Sequence, residues 1–141
     1  MIADYKTRLG NNLALPLDGT PVVTTGIDTR AAGGAFDGSP LYVDIVVTTA
    51  LAATTTDSIQ TMELISDSVS TLNSSVTDHG YIGEFLVLAA TDTAVGTHYR
   101  FALPPLPAMT PANERYIGIR FDNVGTDYVD SGNVEVNLVM N

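Results

Sequence analysis

From Leu41 to Leu51 the chain reads LYVDIVVTTAL. Leu41, Val43, Ile45 and Val47 recur at every second position, with Tyr42, Asp44 and Val46 between them. A period of two sends the first set to one face of a β-strand and the second set to the other. The Leu41 set is apolar throughout and is expected to be buried. The 3.6-residue period of a helix is scarce along the chain. Thr, Val, Gly, Pro and Asp dominate, and short β-prone runs alternate with turn clusters. The 141 residues are therefore expected to form one all-β domain, long enough to bury a real core.

Further strands follow from the same pattern. Residues 58–68 set Gln60, Met62 and Leu64 against Ile59, Thr61, Glu63 and Ile65. Residues 79–90, HGYIGEFLVLAA, carry two glycines that predict a bulge or a close backbone approach. Residues 97–104 alternate Tyr99, Phe101 and Leu103 with His98, Arg100 and Ala102. The end of the chain offers Ile117, Ile119 and Phe121 on one strand and Val134, Val136 and Leu138 on another, read as a pair joined by a turn-rich loop. Residues 21–27, PVVTTGI, read as an edge strand with Pro at its first position, where a missing donor does least harm. The proline-rich segment PPLPAMTPAN cannot be a central strand and reads as a rigid connector. Seven or eight strands, each with one inward face, predict an antiparallel jelly-roll-like β-sandwich. Residues 1–20 read as an extended N-terminal arm with room for one short strand, and 21–141 as the single sandwich domain.

Composition narrows the chemistry. Sixteen acids against six bases give a formal charge of −10. Nucleic acid is not an expected partner, because binding it requires clustered Lys and Arg to neutralise phosphates. The chain has no cysteine, which removes disulfides, thiolate metal sites and thiol nucleophiles. No apolar run reaches membrane-spanning length and the first dozen residues lack a secretory apolar segment, so no membrane partner and no export are expected.

Candidate catalytic groups are few. Asp44 and Glu63 fall on strands expected to be neighbours and would suit the two-carboxylate chemistry of glycoside hydrolysis only if they faced one another. Both also suit the polar face of a strand, which is the simpler reading. His79 and His98 are the only histidines, and they lack the spacing of a zinc site. The loop DNVGTDYVDSGN gathers Asp122, Asp127 and Asp130, but Val124 and Asn133 stand where a calcium loop needs acids. The glycines of RAAGGAFDG match no phosphate-cradling motif. No cofactor and no enzymatic activity are expected. Tyr42, Tyr81, Tyr99, Tyr116 and Tyr128 could supply a sugar-stacking platform, so a carbohydrate-binding β-sandwich of a phage tail or receptor-binding protein is the alternative reading.

Several segments together resemble the capsid cement (decoration) proteins of short-tailed bacteriophages, of the type described in a Bordetella phage. These are MIADYKTRL at the start, GSPLYVDIVV, QTMELISDS, the proline connector leading into NERYIGIRF, and GNVEVNLVMN at the end. The likeness runs along nearly the whole chain. It implies a structural virion protein that binds the outer face of an icosahedral head and bridges major capsid protein subunits. It also implies a homo-oligomer, dimer or trimer, on the outer capsid surface of a virion assembled in the host cytoplasm. On this resemblance Tyr5, Lys6, Arg8 and Leu9 of the arm, with Arg115 and Tyr116, are the candidate capsid or oligomer contacts.

Overall fold

The computed structural model describes residues 8–15, 20–28, 41–53, 55–73, 76–103, 115–124 and 128–140. The glycine-rich loop after Asp28 and the proline-rich connector lie outside these. The nine regular elements among them are all strands: β1 (Arg8–Ala14), β2 (Val22–Val23), β3 (Ile27–Asp28), β4 (Leu41–Ala52), β5 (Ser58–Asp67), β6 (Thr77–Val87), β7 (His98–Ala102), β8 (Tyr116–Asn123) and β9 (Ser131–Met140). A first sheet has the order β1-β9-β4-β7, and a second has the order β2-β8-β5-β6 with β3 also on β8. All pairings are antiparallel.

With β2 and β3 taken as one interrupted strand, only β5 and β6 are consecutive strands paired within a sheet. Every other connection crosses to the opposite sheet. That is the connectivity of a jelly roll.

The period-two reading of the strongest segments holds in the packing. Val43, Ile45 and Val47 from β4, Val134, Val136 and Leu138 from β9, Met62 and Leu64 from β5, and Ile117, Ile119 and Phe121 from β8 are all buried in one core. Burying each such side chain is worth about 1.5–3 kcal/mol relative to exposure, which is what holds the two sheets face to face. Phe85 and Tyr99 stack across the sheets with ring centroids 4.5 Å apart. Gly83 is the close approach foreseen for residues 79–90: a Cβ there would lie 2.5 Å from the Phe101 ring. Gly80, at φ +114°, sits at the foreseen bulge, where the β5–β6 register slips between Leu64 and Ile65.

Three expectations change. The closing strands do not pair with each other: β8 lies in the second sheet and β9 in the first. Their apolar faces meet across the core, because the connection between them is long enough to cross the roughly 10 Å that separates packed sheets. The edge strand of residues 21–27 is broken into β2 and β3. At the break Ile119 N donates to Thr24 Oγ1 (3.0 Å), so a hydroxyl stands in for a ladder carbonyl. Thr25 N then turns to Leu9 O (3.0 Å) and Gly26 N to Ser70 O (2.9 Å). Finally, the sandwich starts before residue 20. β1 is the edge strand of the first sheet, paired to β9 through two register slips and with Asn12 at φ 54°. Those slips erase the period-two signal from the sequence.

The core side of β5 carries polar residues, Ser58, Gln60 and Ser66, and Gln60 is the largest of them. Gln60 is fully buried, its Nε2 donates to Ser58 Oγ at 2.8 Å, and its Oε1 has no hydrogen-bond partner. A buried acceptor without a donor is destabilising by about 1–3 kcal/mol. The near-isosteric Gln60→Met is therefore expected to raise stability by about 1 kcal/mol, read as a higher urea midpoint at unchanged m.

Candidate interaction surface

The residues singled out as contacts are distributed over both sheets. Tyr5 and Lys6 lie outside the described residues. Arg8, on β1, reaches within 3.8 Å of Glu135, and its Nε is buried without a hydrogen-bond partner. Leu9 is 1% exposed and belongs to the core, so its side chain is not available to a partner. Leu9 and Gly10 are both buried where the β1–β9 register slips between Arg8 and Gly10. Arg115, just before β8, grips Asp28 of β3 through Nε (2.8 Å) and Nη2, and its guanidinium lies 5.3 Å from the Tyr116 ring centroid. The hydrogen bond that Arg115 donates to Asp28 raises the Arg115 pKa above its ordinary value. Arg8 and Leu9 thus serve the first sheet and Arg115 and Tyr116 the second.

The two carboxylates weighed for acid–base chemistry are separated by the sandwich itself. β4 and β5 belong to different sheets, so Asp44 and Glu63 are not on neighbouring strands. Glu63 is held by Arg120, which also reaches Asp78 at 3.0 Å. Asp44 lies on the outward side of the first sheet yet is 3% exposed, with His98 Nδ1 3.3 Å from its Oδ2. It sits in a polar row that crosses all four strands in register: Arg8, Asn137, Asp44 and Arg100. Arg100 is also placed 4.7 Å from the Tyr42 ring centroid. Strand pairing decides this row, and the separate segments give no sign of it.

A serine–histidine pair was not legible in the sequence. Ser66 Oγ and His79 Nε2 are 2.6 Å apart, because the bulge at Gly80 leaves His79 out of the β5–β6 register and turned to Ser66. Ser66 is fully buried, so its hydroxyl cannot meet a substrate, and the bond closes the end of the sheet. Of the five tyrosines weighed as a platform, Tyr42, Tyr81, Tyr99 and Tyr116 lie on four different strands. Tyr99 stacks in the core, Tyr42 faces Arg100 on the first sheet, Tyr116 faces Arg115, and Tyr81 is exposed on β6. Among the described residues no three His, Asp or Glu side chains converge as metal ligands; Asp127 of the tested calcium loop lies outside them.

Among the described residues, three of the exposed large apolar side chains gather at one end of the second sheet. On its outward side Ile59 of β5 is flanked by Leu86 of β6, its register partner, and by Val124, whose N–H donates to Ile59 O (3.0 Å). Leu88 continues the outward alternation of β6. Leu86, Leu88 and Val124 are 45%, 43% and 50% exposed. The next row of the same face is Asp122, Thr61 and Glu84 in register. Asp57 closes the other side, accepting a hydrogen bond from Ala89 N at 2.8 Å. The result is an apolar patch with carboxylates on both sides. Its nearest arginine, Arg120, is engaged by Glu63 and Asp78.

No protein-family model matches this chain, and no curated protein is significantly similar to it.

Proposed function

We propose that this chain is a structural virion protein, a cement or decoration protein that binds the outer face of a phage head and bridges major capsid protein subunits as a homo-oligomer. One observation carries the reading. Four of the segments that resemble the cement family are β4, β5, β8 and β9, and these are the two inner strands of each sheet. The likeness therefore lies largely on the part of the chain that builds the block, with a further segment running into edge strand β1, and it varies at residues 54–56 and 122–133. A bridging protein needs a rigid body and contacts repeated by symmetry, whose weak energies add through avidity. The acidic surface suits a position outside the shell, away from the packaged genome.

The test is co-sedimentation with shells assembled from the major capsid protein encoded by the same genome. Binding with a raised shell melting temperature is the expected result, and protein that stays in the supernatant at every ratio refutes the reading. The arm has its own test. Truncation must stop at residue 7, because removing twelve residues would also remove most of β1. Loss of residues 1–7 is expected to leave the melting temperature of the free protein unchanged. It should weaken shell binding by about tenfold or more, equivalent to roughly 1.4 kcal/mol of clasping contact. Unchanged shell affinity would remove the arm from the interface.

A further inference from the structure

We infer that the outward end of the second sheet, centred on Ile59, Leu86, Leu88 and Val124, is a docking surface for a protein segment that presents apolar side chains flanked by lysine or arginine. The inference goes beyond the capsid reading, since it fixes the chemistry of a partner and holds whatever larger structure that partner belongs to.

Three features of the patch lead there. Leu86 and Val124 stand on either side of Ile59 on a flat pleated face, so their exposed surface is contiguous. Contiguous apolar surface with a polar border is the signature of an interaction site, whereas single exposed leucines are ordinary. Its border is of one sign: Asp122 and Glu84 on one side and Asp57 on the other. A second copy docked patch to patch would set these carboxylates against their own counterparts, and like charges juxtaposed in an interface cost several kcal/mol. A cationic rim on the partner answers the same carboxylates and steers encounter.

The neighbouring residues show why the charge remains available. Arg120, on the same face one row beyond Asp122, gives its hydrogen bonds to Glu63 and Asp78 and meets Asp122 only through its charge. Asp57 and Asp122 accept only backbone N–H groups, from Ala89 and Asn123, among the side-chain hydrogen bonds assigned to them. Those contacts leave the negative charge in place for a cation to meet. β6 is also the outer strand of its sheet, so a partner can approach the patch from the side as well as from above.

The full chain, isotopically labelled, is titrated with a short peptide of alternating leucine and lysine while amide shifts are followed by NMR. Perturbations confined to residues 57–61, 84–89 and 120–124 are expected. Leu86→Ser with Val124→Ser, both at exposed positions, should keep the melting temperature and lower peptide affinity at least tenfold. Glu84→Gln with Asp122→Asn should weaken binding and flatten its salt dependence. The inference is overturned by shifts spread over the acidic surface, or by unchanged affinity in the Leu86/Val124 variant. Equal binding of a peptide with serine in place of leucine also overturns it. Shell sedimentation is read separately, so a failure of the capsid reading does not decide this one.

Discussion

Gly132→Ala is expected to lower the folding free energy by about 3–5 kcal/mol, the sum of backbone strain and overpacking. Gly132 is at φ +113°, a conformation that side-chain-bearing L residues rarely adopt. The reason lies across the strand pair. Thr49 pairs with Asn133 and Ala52 with Ser131, so two residues of β4, Ala50 and Leu51, stand opposite Gly132 alone. This bulge frees Leu51 to make both hydrogen bonds of a bridge to Thr93, at 3.1 and 2.8 Å. It also pushes β4 toward β9. A Cβ on Gly132 would lie 2.4 Å from Ala50 O and 2.8 Å from Leu51 Cα, and backbone atoms cannot rotate out of the way. Against the 5–15 kcal/mol of a typical domain the loss is large. Urea unfolding should show a fall in midpoint at constant m. A variant within about 0.5 kcal/mol of wild type would contradict the bulge as described.

Phe121→Ala should cost a similar amount, about 3–5 kcal/mol, by a different route. Phe121 is fully exposed to neither solvent nor sheet edge: it is 0% accessible, paired with Met62 on β5 and Val22 on β2. Truncation removes the largest fully buried side chain and leaves a cavity between two sheets that other side chains hold apart. Phe121→Leu should fall between alanine and wild type, because the cost follows the volume left empty. The two variants also separate in kind. Phe121→Ala loses packing with an intact ladder, so protection of the β4–β9 amides in hydrogen exchange should fall only with global stability. Gly132→Ala should in addition open the start of β9 locally.

Legibility in the sequence followed one physical rule. Where a strand keeps strict alternation and one face is wholly buried, the residues report their own environment, as Val43, Ile45 and Val47 do. Where a bulge intervenes, the report is lost. β1 has two register slips, so Arg8–Ala14 read as part of an arm, and Leu9 read as a contact although it is a core residue. Asp44 is a different failure. Its position on the outward face was correctly read, but its near-complete burial depends on what stands beside it, and Asn137 and Arg100 come from distant segments. The Ser66–His79 bond and the Leu86–Ile59–Val124 patch were hidden for the same reason.

The sequence by itself determined that the chain is all β, which faces of β4, β8 and β9 turn inward, and that the glycines at 80 and 83 mark a bulge or a close approach. These are properties of short segments, fixed by side-chain alternation and backbone freedom. The strand pattern predicts the jelly-roll-like sandwich, but only the tertiary structure decided that β8 and β9 lie in opposite sheets and that β4 and β5 are not neighbours. Alternation states which way a residue faces but carries no information about which strand lies beside it. Partners are chosen by the packing of all strands at once, and every candidate surface on this protein is made from such partners.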